Sequence, residues 1–214
     1  MAHLLVLAKT PAPGRVKTRL CPPCTPDQAA AVAAAALADT LATVTAAPAA
    51  ARTLVVDGDH PAPAGWSRVA QRGGPLAERL AHAYADTHRP GIASLLVGMD
   101  TPQVTPALLE AAVHRLGADD TDAVLGAAED GGWWALGLRD PAHADVLREV
   151  ATSTPATGAL TLAALRSRGL RVAPLPVLRD VDTAADAHAV ARLCPGGSRF
   201  ALTVPRLVPS EVPA

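Results

Sequence analysis

The chain has 214 residues, of which 50% are hydrophobic and 18% are charged, and its formal net charge is −1 at pH 7. This length and apolar content predict one globular domain with a substantial core. The near-zero charge and the 2% aromatic content argue against nucleic acid as a partner, because neither a basic face nor a stacking platform is available.

The Ala-rich segment 29–47 is the most membrane-like part of the chain. It contains Asp39 and several threonines and is only weakly hydrophobic, so we expect a helix in water and no membrane span. The amino-terminal apolar run has no basic region before it and ends at Lys9, which is not typical of a secretory signal. We therefore expect a cytoplasmic protein.

The amino-terminal third opens with a strand and a helix. The short apolar run at 3–9 predicts a buried strand, and the Pro- and Gly-containing stretch after it predicts a loop. Thr25, Pro26 and Gln28 form a helix-start signal, with a cap, a proline at the first helical position and a Gln three residues after the cap. That helix is expected to end near residue 46.

Strands and helices alternate along the rest of the chain. The expected strands cover 52–57, 66–71, 93–97, 122–126, 133–138 and 170–175, and the expected helices cover 75–88, 105–116, 141–150 and 154–168, with a short helix opening at 183. This alternation predicts a three-layer α/β/α sandwich with a mostly parallel sheet. Residues 1–194 form the expected single domain, and 195–214 an extension without a helix or strand pattern.

The loop after the first strand carries four cations, Lys9, Arg15, Lys17 and Arg19, and a glycine, Gly14. Ligands of open α/β sheets bind at the carboxyl ends of the strands. Clustered cations suit a polyanionic phosphate chain, and the glycine permits close backbone approach. We expect a phosphorylated substrate here, with a solvated basic turn as the alternative.

Three further clusters follow strands in the predicted order. Asp100 comes after the apolar strand at 93–97, residues 129–134 read Glu-Asp-Gly-Gly-Trp-Trp, and Asp180 and Asp182 form a D-x-D before a capped helix. Each cluster has an ordinary explanation as a turn, a hairpin corner or a helix cap. As a pair, Asp100 and Asp182 suit magnesium, which proteins hold with one or two carboxylates beside substrate phosphates.

Other polar motifs carry less weight. Ser153, Thr154 and Thr157 could donate hydroxyl groups to a ligand, although capping alone explains Thr154. Cys21 and Cys24 form a C-x-x-C, but the second ligand pair of a zinc site and a thioredoxin-like context are both missing, so we expect two incidental thiols. The sequence contains no G-x-G-x-x-G, G-x-S-x-G or H-E-x-x-H.

In their order and spacing, segments 8–20, 98–102, 129–134, 153–154 and 180–183 resemble a known pattern. They look like the bacterial family of uncharacterised transferases with the glycosyltransferase-A fold, often labelled glycosyltransferase or radical-SAM/selenodomain-associated transferase. More distantly, the chain is similar to nucleotidyltransferases of the molybdenum-cofactor and phospholactate type.

The resemblance implies a nucleotide-diphospho-sugar transferase fold, with the nucleotide over the amino-terminal half and the acceptor over the carboxyl-terminal half. It implies that the phosphate chain contacts Lys9, Gly14, Lys17 and Arg19, and Arg15 belongs to the same expected phosphate-binding set. It also implies that Asp100 and Asp182 hold Mg²⁺ or Mn²⁺, and with Lys17 they are the expected catalytic residues. The expected acceptor-binding residues are Glu129, Asp130, Gly131, Gly132, Ser153 and Thr154.

Two enzymatic hypotheses stay open. In the first, a magnesium-dependent nucleotidyltransferase moves a nucleoside monophosphate from a nucleoside triphosphate to a phosphorylated small-molecule acceptor and releases pyrophosphate. In the second, a glycosyltransferase uses a nucleotide-sugar donor, with Glu129 or Asp130 as general base. A nucleotide-binding protein without catalysis is the third hypothesis. The sequence does not identify the base, the sugar or the acceptor. It also does not decide whether the chain is a monomer or a homodimer.

Overall fold

The computed structural model describes residues 1–209, which form a seven-stranded sheet with helices on both faces. The strands are β1 His3–Lys9, β2 Ala51–Asp57, β3 Ser67–Ala70, β4 Ser94–Gly98, β5 Ala123–Ala128, β6 Trp133–Leu138 and β7 Val172–Leu178. The α-helices are α1 Pro26–Ala46, α2 Leu76–Thr87, α3 Pro106–Leu116, α4 Thr157–Ser167, α5 Ala184–Ala191 and α6 Arg199–Leu207. Two 3₁₀ helices span Thr18–Leu20 and Pro141–Glu149.

The sheet has the strand order β3-β2-β1-β4-β6-β5-β7, and within residues 1–209 only β6 runs antiparallel to its neighbours. The expected α/β/α sandwich with a mostly parallel sheet is therefore confirmed. The register pairs Lys9 with Asp57 and Leu7 with Gly98, so the carboxyl ends of β1, β2 and β4 lie at one level. Chain order reverses between β1 and β4, which is where ligands of such sheets bind.

The core lies on both faces of the sheet because successive strand side chains point to opposite sides. In β1, Leu4 and Val6 pack in the cluster that contains residues of α1 and α3. Leu5 packs in the cluster on the other face, with residues of α2, α4 and the 3₁₀ helix Pro141–Glu149. The central strands are thus buried from both sides, as their unbroken apolar runs predict.

The first helix begins as its sequence predicts. The Thr25 hydroxyl accepts a hydrogen bond from the Gln28 amide at 3.3 Å, and the Gln28 side chain accepts one from the Thr25 amide at 2.7 Å. By length and composition alone α1 is long and apolar enough to cross a membrane, since an 18-residue window has a mean hydropathy of 1.6. Because 61% of that window is buried inside the protein, α1 has the character of a core helix.

Helix α6 corrects the expectation that the tail lacks regular structure. The Ser198 hydroxyl caps it, and Phe200 and Val204, one turn apart, are fully buried. The carboxylate of Asp39, on α1, accepts hydrogen bonds from the amides of Arg199 and Phe200 at 3.1 and 2.7 Å. The sequence pattern of α6 is weak because the helix is short and contains Pro205, and part of its stabilisation comes from Asp39 on a distant helix. Residues 210–214 of the expected extension lie outside the described residues.

Three other boundaries differ from expectation. Residues 141–149 form a 3₁₀ helix, in which the buried Pro141, Ala144 and Leu147 recur every three residues, matching the 3₁₀ period. Helix α4 begins at Thr157, because residues 154–157 form a hydrogen-bonded turn before it. Strand β7 continues through two prolines to Leu178, which edge strands tolerate.

Candidate active site

A cavity of about 1040 Å³ opens at the carboxyl ends of the parallel strands. The sequence places a polar segment directly after each of β1, β4, β5 and β7, and all four segments reach this cavity. Ten predicted site residues line it: Lys9, Arg15, Lys17, Arg19, Asp100, Asp130, Gly132, Ser153, Thr154 and Asp182. The structure therefore brings most of the predicted residues to one place.

Lys17 lies at the centre of the charged groups. Its ammonium nitrogen is 2.7 Å from Oδ1 of Asp100 and 3.5 Å from Oδ1 of Asp182, and its side chain is 8% exposed. Burial lowers the pKa of Lys17, but the charges of Asp100, Asp182 and Asp180 outweigh burial, so the pKa lies above its ordinary value. Lys17 is consequently a cation at neutral pH.

The backbone of Lys17 is strained in a way that helps this placement. Its φ of 50° lies in the left-handed region, which costs a non-glycine residue of order 1 kcal/mol. Lys17 precedes the 3₁₀ helix Thr18–Leu20, in which Leu20 is fully buried and anchors the turn. The anchored turn therefore holds the lysine in a conformation that directs its side chain between two carboxylates.

The other cations of the loop differ in their pairing. Arg19 donates to Oδ2 of Asp182 at 2.5 Å, although its side chain is 68% exposed. Lys9 and Arg15 are exposed, and neither forms an ion pair with any residue in 1–209. The loop thus supplies two cations already neutralised by carboxylates and two whose charge is available to a ligand.

A cluster of three carboxylates faces the loop. Oxygen atoms of Asp130, Asp180 and Asp182 lie within 4.8 Å of one another. Burial, followed by the negative charges of Asp130 and Asp182, raises the pKa of Asp180 to about 6. Asp130 is oriented by a 2.7 Å hydrogen bond from the Gly132 amide. These carboxylate oxygens fit a divalent cation such as Mg²⁺ or Mn²⁺.

This cluster differs from the pair expected from the sequence. Asp182 belongs to it, but Asp100 is the partner of Lys17, and Asp130, which we expected beside the acceptor, is also a member of the cluster. Asp180 is not among the site residues expected from the sequence. The D-x-D pattern was the available signal, since it already placed Asp180 two residues from Asp182.

The two acidic segments are fixed to each other through the backbone. The Val181 amide donates to the Asp100 carbonyl at 3.0 Å, and the Val181 side chain is fully buried. The side-chain amide of Gln103 donates to the Arg179 carbonyl at 2.6 Å. Asp180 and Asp182 are therefore held against the loop after β4, and Gln103 is a supporting residue that the sequence did not reveal.

Three predicted residues do not line the cavity. Gly14 lies at the tip of the first loop with φ 72°, and no atom lies within 4 Å of the position a Cβ would take. Glu129 points to Arg179, which contacts it at 2.6 Å. Gly131 has a structural role, because a Cβ there would overlap the Pro155 carbonyl. Of the two candidate bases, only Asp130 faces the cavity.

Several lining residues were absent from the expectations. Near the end of β2, Arg79 contacts Asp57 at 2.8 Å, and Gln71 donates to the Ala8 carbonyl at 2.7 Å. Trp133 also lines the cavity. The thiols of Cys21, Cys24 and Cys194 are free and take no part in the lining, and burial raises the pKa of Cys24, which disfavours its thiolate form.

Residues 28–154 match the model of a family described as uncharacterized protein conserved in bacteria (DUF2064). The chain belongs to this family. No curated protein matches it. A solved structure from Desulfovibrio desulfuricans G20, provisionally named a nucleotide-diphospho-sugar transferase, is 27% identical to this DUF2064 member, with a TM-score of 0.84 over 96% of this chain and 95% of the other.

Two more distant structures share the fold of this DUF2064 member. CMP:2-keto-3-deoxy-manno-octonic acid synthetase, solved with CTP, is 11% identical, with a TM-score of 0.58 over 97% of this chain and all of the other (100%). Rv0371c from Mycobacterium tuberculosis H37Rv, solved with manganese, is 23% identical, with a TM-score of 0.54 over 89% of this chain and 98% of the other. The expected nucleotide-diphospho-sugar transferase fold is confirmed.

Proposed function

We propose that this protein is a metal-dependent transferase that moves a nucleoside monophosphate from a nucleoside triphosphate to a small-molecule acceptor and releases pyrophosphate. The transferase class agrees with the names of the structures that share the fold, which include a synthetase solved with CTP. The observation that carries the proposal is the ammonium of Lys17 between Asp100 and Asp182, inside a cavity whose first loop supplies three more cations.

The arrangement of charge supports a triphosphate as the donor. Lys9 and Arg15 have no carboxylate partner among residues 1–209, so a phosphate chain can neutralise them without breaking an existing pair. Lys17 and Arg19 add charge where a departing pyrophosphate accumulates it. Catalysis by this set is mainly positioning and electrostatic stabilisation, and it needs no protein nucleophile.

For the cation we propose Asp180 and Asp182 of the carboxylate cluster, together with Asp100, whose carboxylate the ion would take over from Lys17. The third member of the cluster, Asp130, is not assigned to the ion. The manganese complex of Rv0371c, which has the same fold, makes a divalent ion a reasonable partner for these carboxylates. When bound, the ion supplies charge neutralisation for the phosphates and orients them. The chain's own residues bind and align the donor, and an acceptor oxygen then forms a bond to the α-phosphorus as the bond to the pyrophosphate oxygen breaks.

Glycosyl transfer is a second candidate because the Desulfovibrio structure, at 27% identity, carries the name of a nucleotide-diphospho-sugar transferase. In that reaction Asp130 is the general base we propose, since Glu129 is paired with Arg179 and lies outside the cavity lining. The cytoplasm, where nucleoside triphosphates and nucleotide-sugars are made, is the proposed compartment for either reaction.

A thermal-shift panel separates the two candidates. The panel contains nucleoside triphosphates and nucleotide-sugars, each with and without Mg²⁺ or Mn²⁺. We expect the largest stabilisation from one triphosphate together with the metal ion, which also identifies the base. A larger stabilisation by an intact nucleotide-sugar favours glycosyl transfer, and no stabilisation by either class contradicts both candidates.

A further inference from the structure

We infer that the acceptor is a neutral, polyhydroxylated molecule of the free-sugar or polyol class. Its proposed place is the acceptor wall, which we define as Asp130, Gly132, Trp133 and residues 152–155 of the cavity lining. The inference rests on the proposed function and names a substrate class for it. It departs from the phosphorylated acceptor expected from the sequence.

The acceptor wall lacks positive charge. The cations that line the cavity are Lys9, Arg15, Lys17, Arg19 and Arg79. All of them precede residue 80, and the described lining residues from Leu96 onward include no Lys, Arg or His. The charged group of the wall is the carboxylate of Asp130, close to Asp180 and Asp182. A phosphorylated acceptor would meet the negative charge of Asp130 here, and no cationic side chain of the wall would balance its phosphate.

The start of α4 borders this wall, and helix starts often bind phosphate through free amide groups. Here the amides are already bonded within the protein, at 2.8–3.2 Å, for Thr154, Ala156, Thr157 and Gly158. Pro155 has no amide hydrogen. A phosphate that bound to these four amides would therefore have to break existing hydrogen bonds.

The wall is rigid because two backbone segments pack directly against each other. A Cβ at Gly131, whose φ is 90°, would overlap the Pro155 carbonyl, and a Cβ at Gly158 would lie 2.6 Å from the Gly132 carbonyl. The Gly158 amide donates to the Gly131 carbonyl at 2.8 Å. The turn between β5 and β6 and the segment before α4 thus form one preformed surface.

The groups on this surface suit a carbohydrate. The indole of Trp133 is half-buried, and its nitrogen donates to the Thr161 hydroxyl at 3.2 Å, which fixes the ring. An indole face packs against the C–H groups of a sugar ring. Thr152 and Ser153 add hydroxyl groups to the lining, and Asp130 adds carboxylate oxygen for sugar hydroxyls to donate to.

A neutral acceptor attacks through a hydroxyl group, so a proton must be removed in the step. The hydroxyl oxygen forms the bond to the α-phosphorus, the bond to the pyrophosphate oxygen breaks, and the proton passes to the carboxylate of Asp130. This aspartate belongs to the wall and to the carboxylate cluster, so it lies between the two halves of the site.

Saturation-transfer NMR on the full chain tests the inference, with Mg²⁺ and a non-hydrolysable analogue of the triphosphate that the thermal-shift panel selects. The probes are three matched pairs: glucose and glucose 1-phosphate, myo-inositol and its 1-phosphate, and glycerol and glycerol 3-phosphate. We expect the neutral member to bind more tightly in at least one pair. Trp133→Ala should weaken that binding about tenfold, as for the loss of a buried aromatic contact, and Trp66→Ala, outside the cavity, should not.

Two further variants keep the test valid if Trp133→Ala does not fold. Trp133→Phe keeps an aromatic ring but loses the hydrogen bond to Thr161. Thr152→Arg adds a cation to the wall and should increase binding of the phosphorylated member. The inference alone is overturned if nucleotide binding is intact and every phosphorylated probe binds more tightly than its neutral partner. The same conclusion follows if nucleotide binding is intact and no neutral probe binds. Failure of the wild-type chain to bind any nucleotide overturns the proposed function and the inference with it.

Discussion

The ammonium nitrogen of Lys17 lies 2.7 Å from the carboxylate of Asp100, and this contact joins the loop after β1 to the loop after β4. These two strands are adjacent at the point where the chain order of the sheet reverses. The same ammonium is 3.5 Å from Asp182, so one cation balances carboxylates from two separate segments. A divalent ion between these carboxylates would take over that balancing role.

Lys17→Met should have opposite effects on two ligands. Affinity for the triphosphate should fall by about 1.5–3 kcal/mol, which is typical of a lost hydrogen bond to a charged group. Mn²⁺ binding without nucleotide should strengthen, because Asp100 and Asp182 lose their shared cation. Isothermal titration of each ligand measures both effects.

Lys9→Met is the matched control, since exposed Lys9 has no carboxylate partner among residues 1–209 and should affect triphosphate affinity less. Equal effects of the two variants on both ligands would contradict this role of Lys17.

Gln103→Met should weaken Mn²⁺ binding several-fold while the protein still folds. The variant removes the donor to the Arg179 carbonyl, and the segment with Asp180 and Asp182 loses one of its two ties to the loop after β4. Unfolding in urea should show a loss of about 1–3 kcal/mol for the unpaired carbonyl. Unchanged Mn²⁺ affinity in a variant with that stability loss would show that Gln103 does not position the carboxylates.

Protein stability should decrease below pH 6.5 because of His3. Its side chain is 1% exposed and its Nε2 lies 2.8 Å from the Thr53 hydroxyl. Burial, with the charge of Arg89, lowers the pKa of His3 below its ordinary value of 6.5. The unfolded chain therefore binds the proton first, so the stabilisation present above pH 6.5 is lost as the pH falls toward the folded-state pKa.

Urea unfolding at pH 7.5, 6.5 and 5.5 measures this effect. His3→Asn, which cannot titrate, should give a shallower decrease in the free energy of unfolding than the wild type. His114→Asn, on the exposed side of α3, is the control and should keep the wild-type slope. A His3→Asn slope equal to the wild-type slope would rule out His3 as the source.

The fold could be predicted from the sequence wherever the signal is local. The apolar runs that form β1 and β4, and the Thr25–Gln28 capping box, need no distant partner to be recognised. Helix α6 differs from the expectation because its local cap, Ser198, is supplemented by the carboxylate of Asp39, 160 residues from Arg199 along the chain. Tertiary contacts stabilise α6, and Pro205 inside it interrupts the sequence pattern that would predict a helix.

The candidate site could likewise be predicted only as far as local sequence signals reach. Loops after parallel strands meet at one edge, so Lys17, Asp100 and Asp182 could be expected together without knowledge of their distances. Which carboxylates approach one another depends on side-chain packing, and this is why Asp180 and Asp130 replaced Asp100 in the cluster. Glu129 was expected in the site, but its side chain pairs with Arg179, 50 residues away, and does not line the cavity.

Isothermal titration of the selected triphosphate, with and without Mg²⁺, into the wild-type chain and Asp182→Asn tests the central claim most directly. Asp182 contacts both Lys17 and Arg19 and belongs to the carboxylate cluster, so its charge couples the metal ion to the phosphates. We predict that Mg²⁺ tightens triphosphate binding about tenfold or more in the wild type and has no effect in Asp182→Asn. Asp27→Asn, on the exposed first turn of α1, should behave as the wild type. An equal effect of Mg²⁺ on the wild type and Asp182→Asn would contradict a metal-dependent nucleotide site at these carboxylates.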